Sequence, residues 1–255
     1  MRIAFLGDIV GKSGRRLLAN KWRTWKLDHH VDFTIANGEN LAGTGITPNL
    51  ARKVRTYGID VITSGNHIWK FDQIIPLLED EQFPLIRPLN YNGVPGKGSG
   101  IFNGVAVINL LSPIGMTPHL VEPMFKTVER EVMRLREITP IIIVDVHGEI
   151  AADKIALAYY LDGKVSAVIG THTHVPTNDA KILEHGTAYI TDVGMVGATH
   201  SVIGVKKEIV IEHLITGLPK RFDNAREEVK GYGVLIDIDD RTGKSYAIEP
   251  FVIEG

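Results

Sequence analysis

Short runs of apolar residues alternate with helical apolar stripes along the first two thirds of the chain. The runs that predict buried strands are Ile3–Leu6, Phe33–Ala36, Val61–Thr63, Val105–Leu111, Ile141–Val144 and Ala167–Ile169. Between these runs, apolar residues recur every three or four positions, which predicts helices. The helical stripes are Leu18–Trp25, Leu50–Tyr57, Phe71–Leu78, Val121–Leu135 and Ala151–Leu161. This alternation predicts an α/β protein.

The pattern changes from Lys181 onward, where short apolar segments flank turn residues. One β-hairpin is predicted over Ile182–Ile190 and a second over Val234–Val252. The stretch Pro84–Gly100 is rich in Pro, Gly and Asn and predicts a long loop. Alternating strands and helices followed by antiparallel strands indicate either one mixed sheet or two stacked sheets.

Composition narrows the class of protein. The chain has 255 residues without repeats or a long linker, so we expect a single domain spanning residues 1–255. Its net charge of −2 argues against a DNA-coating protein, and the lack of cysteine excludes disulfide scaffolds, iron–sulfur clusters and cysteine nucleophiles. No secretory leader and no uninterrupted apolar window long enough for a membrane span is present. We therefore expect a soluble, cytoplasmic protein.

Polar residues follow five of the predicted strands directly. These groups are Gly7-Asp8, Asn37-Gly38-Glu39-Asn40, Gly65-Asn66-His67, Asp145-Val146-His147-Gly148 and Gly170-Thr171-His172-Thr173-His174. In open α/β sheets, ligands bind beyond the carboxyl ends of the strands. The five groups could therefore converge on one site.

The residue types in these groups form a mixed oxygen and nitrogen ligand set without thiolate. Such a set suits Mn²⁺, Fe or Zn²⁺. The candidate ligands are too many for one ion that keeps a position open for water. Two ions that share a carboxylate would use them all. Pairs of ions of this kind recur in enzymes that catalyse displacement at phosphorus. His172 and His174 would lie on one side of an extended segment and supply one ligand to each ion.

The order GD…NGEN…GNH…H…GTHTH resembles the calcineurin-like metallophosphoesterase superfamily. The usual DxH of the first motif is Asp8-Ile9-Val10 here, and Glu39 stands where most relatives have Asp. With the opening FLGDIVGKSGR and the later DVGMVG, these departures resemble the YmdB-like branch, which consists of bacterial cyclic-nucleotide phosphodiesterases. The resemblance implies a sandwich of two stacked mixed β-sheets flanked by helices.

The resemblance also implies a dinuclear site. One ion would be bound by Asp8, Glu39, Asn40 and His174, with Asn40 replacing the missing histidine of the first motif. Glu39 would bridge to a second ion held by Asn66, His147 and His172. The nucleophile would be a hydroxide bridging the metals, and His67 would act as the acid, a role that suits histidine near neutral pH. Iron or manganese is expected, with zinc as an alternative.

The expected function is hydrolysis of a small phosphodiester, namely a 2′,3′-cyclic or 3′,5′-cyclic nucleotide. The alternatives are a phosphomonoesterase or nucleotidase at the same site, and an RNA-binding regulatory protein with a structural metal site. The stretch Lys12–Lys26 holds six basic residues and no acid, which fits either a solvated helix face or an RNA-contacting patch. The resemblance also raises the prospect of a homo-oligomer.

Several residues are expected to have roles outside the set of metal ligands. Asp145 and Asp192 are expected to orient ligand histidines from outside the metal site. His119 and His200 are candidates for the edge of the substrate pocket. Ser13 is expected to cap a helix, because the preceding glycines are one residue too close together for a phosphate-binding P-loop.

Overall fold

The computed structural model describes residues 1–112 and 121–255. The strands within these ranges are β1 (Arg2–Leu6), β2 (Asp8–Ile9), β3 (Phe33–Asn37), β4 (Val61–Thr63), β5 (Ser99–Phe102), β6 (Val105–Leu111), β7 (Ile142–His147), β8 (Ala167–Thr171), β9 (Lys181–Ile182), β10 (Ala188–Ile190), β11 (Met195–Ala198), β12 (Val229–Ile238) and β13 (Ser245–Glu254). The α-helices are α1 (Gly11–Leu17), α2 (Arg23–Asp28), α3 (Pro48–Arg55), α4 (Ile75–Glu79), α5 (Met124–Arg136), α6 (Ala151–Leu161) and α7 (Lys207–Thr216). A π-helical turn, Leu18–Trp22, joins α1 to α2, and 3₁₀ turns occupy Asn66–Lys70 and Asp72–Ile74.

The strands form two mixed sheets. The first sheet has the order β2-β11-β12-β1-β3-β4, with β13 on the other edge of β12. The second sheet has the order β5-β6-β7-β8-β10-β9. Parallel neighbours β1, β3 and β4 form one half of the first sheet, and β6, β7, β8 and β10 form the parallel centre of the second.

Alternation of side chains along the strands builds the layers. Ile3 and Phe5 of β1 pack in one buried cluster with Val107, Ile143 and Ile169 of the second sheet. Ala4 and Leu6 of β1 point to the opposite side, where α1, the π-helical turn, α3 and α4 form a helical layer. The outer face of the second sheet is covered by α5 and α6. The predicted pair of stacked mixed sheets flanked by helices is therefore confirmed.

Two element predictions were wrong for identifiable reasons. The stripe predicted over Val121–Leu135 begins as a helix only at Met124, because Pro123 precedes it and proline interrupts a helix interior. Ser13 does not cap α1, which begins at Gly11 without a side-chain cap; its hydroxyl instead donates to the carbonyl of Ala225.

The region after Lys181 is not made only of hairpins. Both predicted hairpins are present, as β9–β10 and β12–β13. Between them lies α7, which the sequence pattern did not predict, and β5 occupies the end of the predicted loop. Among residues 1–112 and 121–255, no helix combines the length and apolarity needed to cross a bilayer.

The topology brings the polar strand ends to one edge of the sandwich. The chain leaves β1 through Gly7, where an added Cβ would lie 2.0 Å from the carbonyl oxygen of Gly194. That close approach lets the backbone amide of Asp8 donate to the same carbonyl at 3.1 Å, so that β2 pairs with β11. Asp8 is thereby fixed beside the ends of the parallel strands.

Candidate metal centre

The predicted site residues lie at this edge and are carried by strand ends of both sheets. Asp8 begins β2; Glu39 and Asn40 follow β3; Asn66 and His67 follow β4; His147 ends β7; His172 and His174 follow β8. Asp8, Glu39, Asn40 and His147 are almost fully buried. The structure therefore gathers groups that are far apart in sequence, as the strand-end pattern predicted.

The two carboxylate oxygens of Glu39 face different partners. On one side, Oε2 lies 3.1 Å from Nε2 of His147, and that nitrogen lies 3.1 Å from Nδ1 of His172. The ligand atoms of Glu39, His147 and His172 all lie within 4.8 Å of one another. Backbone N–H of His67 approaches the same Oε2 at 3.3 Å, which keeps Asn66 next to this group.

On the other side, Oε1 of Glu39 accepts a hydrogen bond from Nδ2 of Asn40 at 3.1 Å. The same amide lies 3.1 Å from Nε2 of His174, which in turn is 3.7 Å from Oδ1 of Asp8. Rotating the Asn40 amide by half a turn exchanges its nitrogen for its oxygen at this position, which turns a donor into a metal ligand. Asp8, Asn40 and His174 thus form a second set around the opposite oxygen of Glu39.

The groups present fit a cation. Buried Oδ1 atoms of Asp8 and Asn66 have no hydrogen-bond partner within the described residues, although buried polar atoms are normally paired. A Cβ at Gly65 would lie 2.2 Å from Oε2 of Glu39 and 2.4 Å from Nε2 of His147, so glycine keeps that space open. Carboxylate, amide and imidazole donors without thiolate are the set expected for Mn²⁺, Fe or Zn²⁺.

The electrostatics of these side chains also favour a cation. Burial lowers the pKa of His147, but the Glu39 carboxylate more than offsets this and raises it to about 9. Burial would raise the pKa of Glu39, yet His147 holds it well below the ordinary value. Burial and the neighbouring His147 lower the pKa of His172 to about 3. The buried Glu39 carboxylate therefore favours positive charge beside it.

Hydrogen bonds at Nδ1 hold the His147 ring in position. Its Nδ1 lies 2.8 Å from the hydroxyl of Thr171, which donates to Oδ1 of Asp145 at 2.7 Å. Thr63 donates to the other Asp145 oxygen, and burial raises the pKa of Asp145 to about 6. Asn37 forms a second link, because its Nδ2 lies 3.1 Å from Oδ2 of Asp145 and 3.3 Å from Nδ1 of His147. Asp145 therefore acts on His147 through Thr171 and Asn37 rather than by direct contact, and Nε2 of His147 faces Glu39.

Asp192 holds the backbone of the histidine segment. Its Oδ2 accepts hydrogen bonds from the backbone N–H of Thr173 at 3.0 Å and from Nζ of Lys154 at 3.0 Å. Lys154 is fully buried and also donates to the carbonyl of Thr171 at 2.7 Å. Sequence reasoning missed Lys154, although its place three residues before Leu157 on the buried stripe of α6 was a usable signal.

The segment that carries His172 and His174 is not extended, so that prediction was wrong. Both residues have positive φ angles, 105° for His172 and 65° for His174. Non-glycine residues adopt this conformation at a cost of about 1–3 kcal/mol, and such strain concentrates at functional sites. Nδ1 of His174 is held by the carbonyl of Ile203 at 2.8 Å, which fixes the ring in this strained position.

Two other side chains, His67 and Glu149, border the centre. The His67 side chain is 39% exposed, with Nδ1 3.3 Å from Oε1 of Glu39, so its ring borders both the centre and solvent. Glu149, which sequence reasoning did not assign to the site, places Oε2 3.1 Å from Nε2 of His172. His200 lies elsewhere, beside Lys207 and Glu228. His119 lies outside the described residues.

Comparisons with known proteins agree along the whole chain. A family model described as YmdB-like protein matches residues 4–251. A 2′,3′-cyclic-nucleotide 2′-phosphodiesterase of Bacillus subtilis is 42% identical, covering 99% of this chain and 97% of that protein. The crystal structure of a novel phosphatase from Mycoplasma pneumoniae matches with a TM-score of 0.93 and 32% identity, covering 100% of this chain and 93% of that one. A hypothetical protein from Thermus thermophilus matches with a TM-score of 0.90 and 37% identity, covering 100% of this chain and 99% of that one.

Proposed function

The chain belongs to the YmdB-like family of phosphoesterases and is a hydrolase, and from that premise we propose that it opens 2′,3′-cyclic nucleotides with two metal ions. The observation that carries the proposal is Glu39, whose two oxygens face two separate sets of nitrogen and oxygen donors. When bound, metal ions here would polarise the phosphoryl oxygen and lower the pKa of water, with iron or manganese favoured over zinc.

Each side of Glu39 would hold one ion. One set of residues is Asp8, Asn40 and His174, and the other is Asn66, His147 and His172, with Glu39 shared. His67 is more exposed than the histidines of either set, with 39% of its side chain accessible, so it can contact substrate. We assign His67 the transfer of a proton to the departing ribose oxygen, since a proton donor must lie within hydrogen-bond reach of that atom.

Charge around the centre favours a diester over a monoester. Within the described residues, no Lys or Arg side chain forms an ion pair or hydrogen bond with the proposed metal-binding groups or with His67. The buried Lys154 is paired with Asp192 instead. A monoester dianion requires more positive charge than a singly charged diester, so the residues present suit the diester.

The name of one relative supports a choice of the bond that is cleaved. The Bacillus subtilis relative carries a name that specifies 2′,3′-cyclic nucleotides and the 2′ ester. Applied to this chain, the oxygen of a water molecule bonds to phosphorus as the bond between phosphorus and O2′ breaks. O2′ leaves with its electron pair and gains a proton, the water gives up a proton, and a 3′-phosphate remains. The 3′,5′-cyclic nucleotides, which sequence reasoning left open, are the competing substrates.

The test compares 2′,3′-cyclic AMP, 3′,5′-cyclic AMP and p-nitrophenyl phosphate as substrates of the manganese-loaded protein, with metal content measured in parallel. We expect turnover of the 2′,3′-cyclic nucleotide to a 3′-phosphate, abolished by EDTA and restored by Mn²⁺. His67→Ala should retain both metals and lose most of kcat. A clear preference for p-nitrophenyl phosphate would overturn the proposal in favour of a phosphomonoesterase, and full activity of His67→Ala would remove its role as acid.

A further inference from the structure

A cationic cleft adjoins the candidate metal centre. It has a volume of about 1100 Å³ and is lined by five basic side chains, Lys12, Arg15, Lys70, Arg221 and Arg226. One carboxylate, Asp223, also lines it, and that group is paired with Lys206. The cleft therefore has a strong excess of positive charge in a protein whose net charge is −2.

Most of this charge is not used to hold the fold together. Lys12, Lys70 and Arg221 are exposed, and they form no hydrogen bond or ion pair with any residue in the described part of the chain. Arg15 differs, since it donates to the carbonyl of Leu41 and is half-buried. Like charges that converge without carboxylate partners repel one another, so the cleft suits an anionic occupant.

The walls of the cleft are continuous with the segments that position the metal centre. The backbone N–H groups of Gly11 and Gly43 both donate to the carbonyl of Asn40 at 2.8 Å. Lys70 ends the 3₁₀ turn that begins at Asn66. The same backbone segments therefore hold one wall of the cleft and the Asn40 side of the centre.

The far wall is anchored to a site residue as well. Backbone hydrogen bonds join Lys206 to Asp223 and Ala225 to Gly204, each at 2.9 Å, which fixes the segment that carries Arg221 and Arg226. The residue before Gly204, Ile203, holds the His174 ring.

The positive surface extends past the cleft along the first helix. A second cavity of about 390 Å³ shares Lys12, Ser13 and Arg226 with the cleft and continues to Arg16 and Lys21. At a rise of about 1.5 Å per residue, Lys12 and Arg16 are about 6 Å apart along the axis of α1, and Lys21 lies farther on, in the π-helical turn Leu18–Trp22. A row of cations of this length exceeds what one mononucleotide requires, and it matches a chain of regularly spaced phosphates.

An aromatic ring is exposed among these cations. Phe222 lines the cleft with 52% of its surface exposed, and His213 packs against it edge-on with ring centres 5.6 Å apart. Grooves that bind single-stranded nucleic acid combine backbone-tracking cations with aromatic rings on which bases stack. Phe222 and the surrounding basic residues present that combination.

We propose that the cationic cleft binds single-stranded RNA whose 3′ end carries a 2′,3′-cyclic phosphate, so that the enzyme acts on RNA ends as well as on free nucleotides. The inference rests on the proposed function, because the cyclic end must reach the same centre. Water adds to phosphorus, the bond to O2′ breaks, O2′ gains a proton, and the RNA keeps a 3′-phosphate. The upstream phosphates lie along Lys12, Lys70 and Arg221, and Phe222 stacks a base.

The experiment uses the full-length, manganese-loaded protein and two substrates, uridine 2′,3′-cyclic phosphate and octauridylate ending in the same group. We expect kcat/KM to be at least about tenfold higher for the octamer at low salt, as electrostatic steering allows. In Lys12→Glu/Arg221→Glu, the ratio of the two kcat/KM values should fall by at least about tenfold. Lys126→Glu/Arg241→Glu, with the same charge change on exposed residues of α5 and the β12–β13 turn, should keep the ratio of the unaltered protein.

Binding supplies a readout independent of turnover. Metal-free protein and octauridylate with a 3′-phosphate should form a complex. The logarithm of its association constant should fall linearly with the logarithm of the salt concentration, and the slope should become shallower by about 0.7 for each cation removed from the cleft. Equal kcat/KM for both substrates, unaffected by the cleft variant, would overturn the inference while leaving the proposed function intact. An octamer that is hydrolysed faster but loses its advantage equally in both double variants would also overturn it. No hydrolysis of either substrate would instead contradict the proposed function.

Discussion

The candidate metal centre and the cationic cleft are adjacent, but they are built in opposite ways. In the centre, Asp8, Glu39 and His147 are buried, and Glu39 is held between polar groups on both of its oxygens. In the cleft, Lys12 and Arg221 are exposed and have no partner within the described residues. The centre also rests on strand ends, whereas much of the cleft wall is loop.

This difference separates two tasks. Chemistry at phosphorus requires groups held within fractions of an ångström, which burial and mutual hydrogen bonds supply. Recognition of an extended anion requires charge without fixed geometry, which exposed cations supply. Substitutions in the centre should therefore cause large, discrete losses, while those in the cleft should cause graded losses that depend on salt.

Glu39→Gln should cause the largest effect, because it removes the charge shared by the two ligand sets. We expect kcat/KM for bis-p-nitrophenyl phosphate to fall by at least about 1000-fold, equivalent to about 4 kcal/mol of transition-state stabilisation. Metal content per chain should fall as well. Glu137→Gln, an exposed residue following α5, is the matched control. Near-normal activity with full metal content would show that Glu39 does not bridge.

Lys154→Met should affect stability most among the supporting residues. It leaves Asp192 buried and unpaired, which costs about 3–5 kcal/mol of unfolding free energy. Urea denaturation of the metal-free protein measures this, and Lys126→Met on α5 should change it by less than about 0.5 kcal/mol. Adding Asp192→Asn to Lys154→Met should recover part of the loss. If the double variant lost as much unfolding free energy as the two single variants together, Lys154 and Asp192 would not be acting as a pair.

Thr171→Val should produce an intermediate effect. It keeps the shape of the side chain but removes the hydroxyl that links Asp145 to His147, which leaves only the link through Asn37. Loss of such support typically costs about 10- to 100-fold in metal affinity or activity. Metal titration by calorimetry measures the affinity. Asp145→Asn should give a loss of similar size, and the double variant should be little worse than either. Additive losses would show that the two residues act separately.

Arg16→Glu should have the smallest effect, because Arg16 is exposed and lies at the extension of the cleft along α1. An exposed charge contributes about 0.2–1 kcal/mol, so kcat/KM for the octamer should fall by about two- to fivefold. Turnover of bis-p-nitrophenyl phosphate should not change. The loss should disappear at high salt; a loss independent of salt would indicate distortion of the helix instead.

The sequence predicted the location of the centre but not its internal arrangement. Apolar runs identify parallel strands, and the residues after them must lie at one edge, so Asp8, Glu39 and His147 could be grouped from their positions alone. Which oxygen of Glu39 faces which histidine depends on contacts between the two sheets. The bent backbone at His172 and His174 depends on Asp192 and Ile203, which are distant in sequence.

The missed helix α7 shows a different limit. Its sequence, KEIVIEHLIT, has consecutive β-branched residues that favour a strand, and its apolar residues do not form a single buried stripe. No residue of α7 is buried, so its sequence lacks the apolar stripe from which a helix packed on a core is predicted. The helix ends at Gly217, whose φ of 67° suits glycine.

The pairing of β2 with β11 has a consequence for how the protein is made. Asp8 is held in place by a strand that lies near the opposite end of the sequence, and β11 is itself held by β12. Contacts between such distant segments slow folding, because the intervening chain must be closed into a loop before they form. During synthesis, the amino-terminal half emerges from the ribosome with Asp8 unpaired, so the centre is among the last parts of the molecule to assemble.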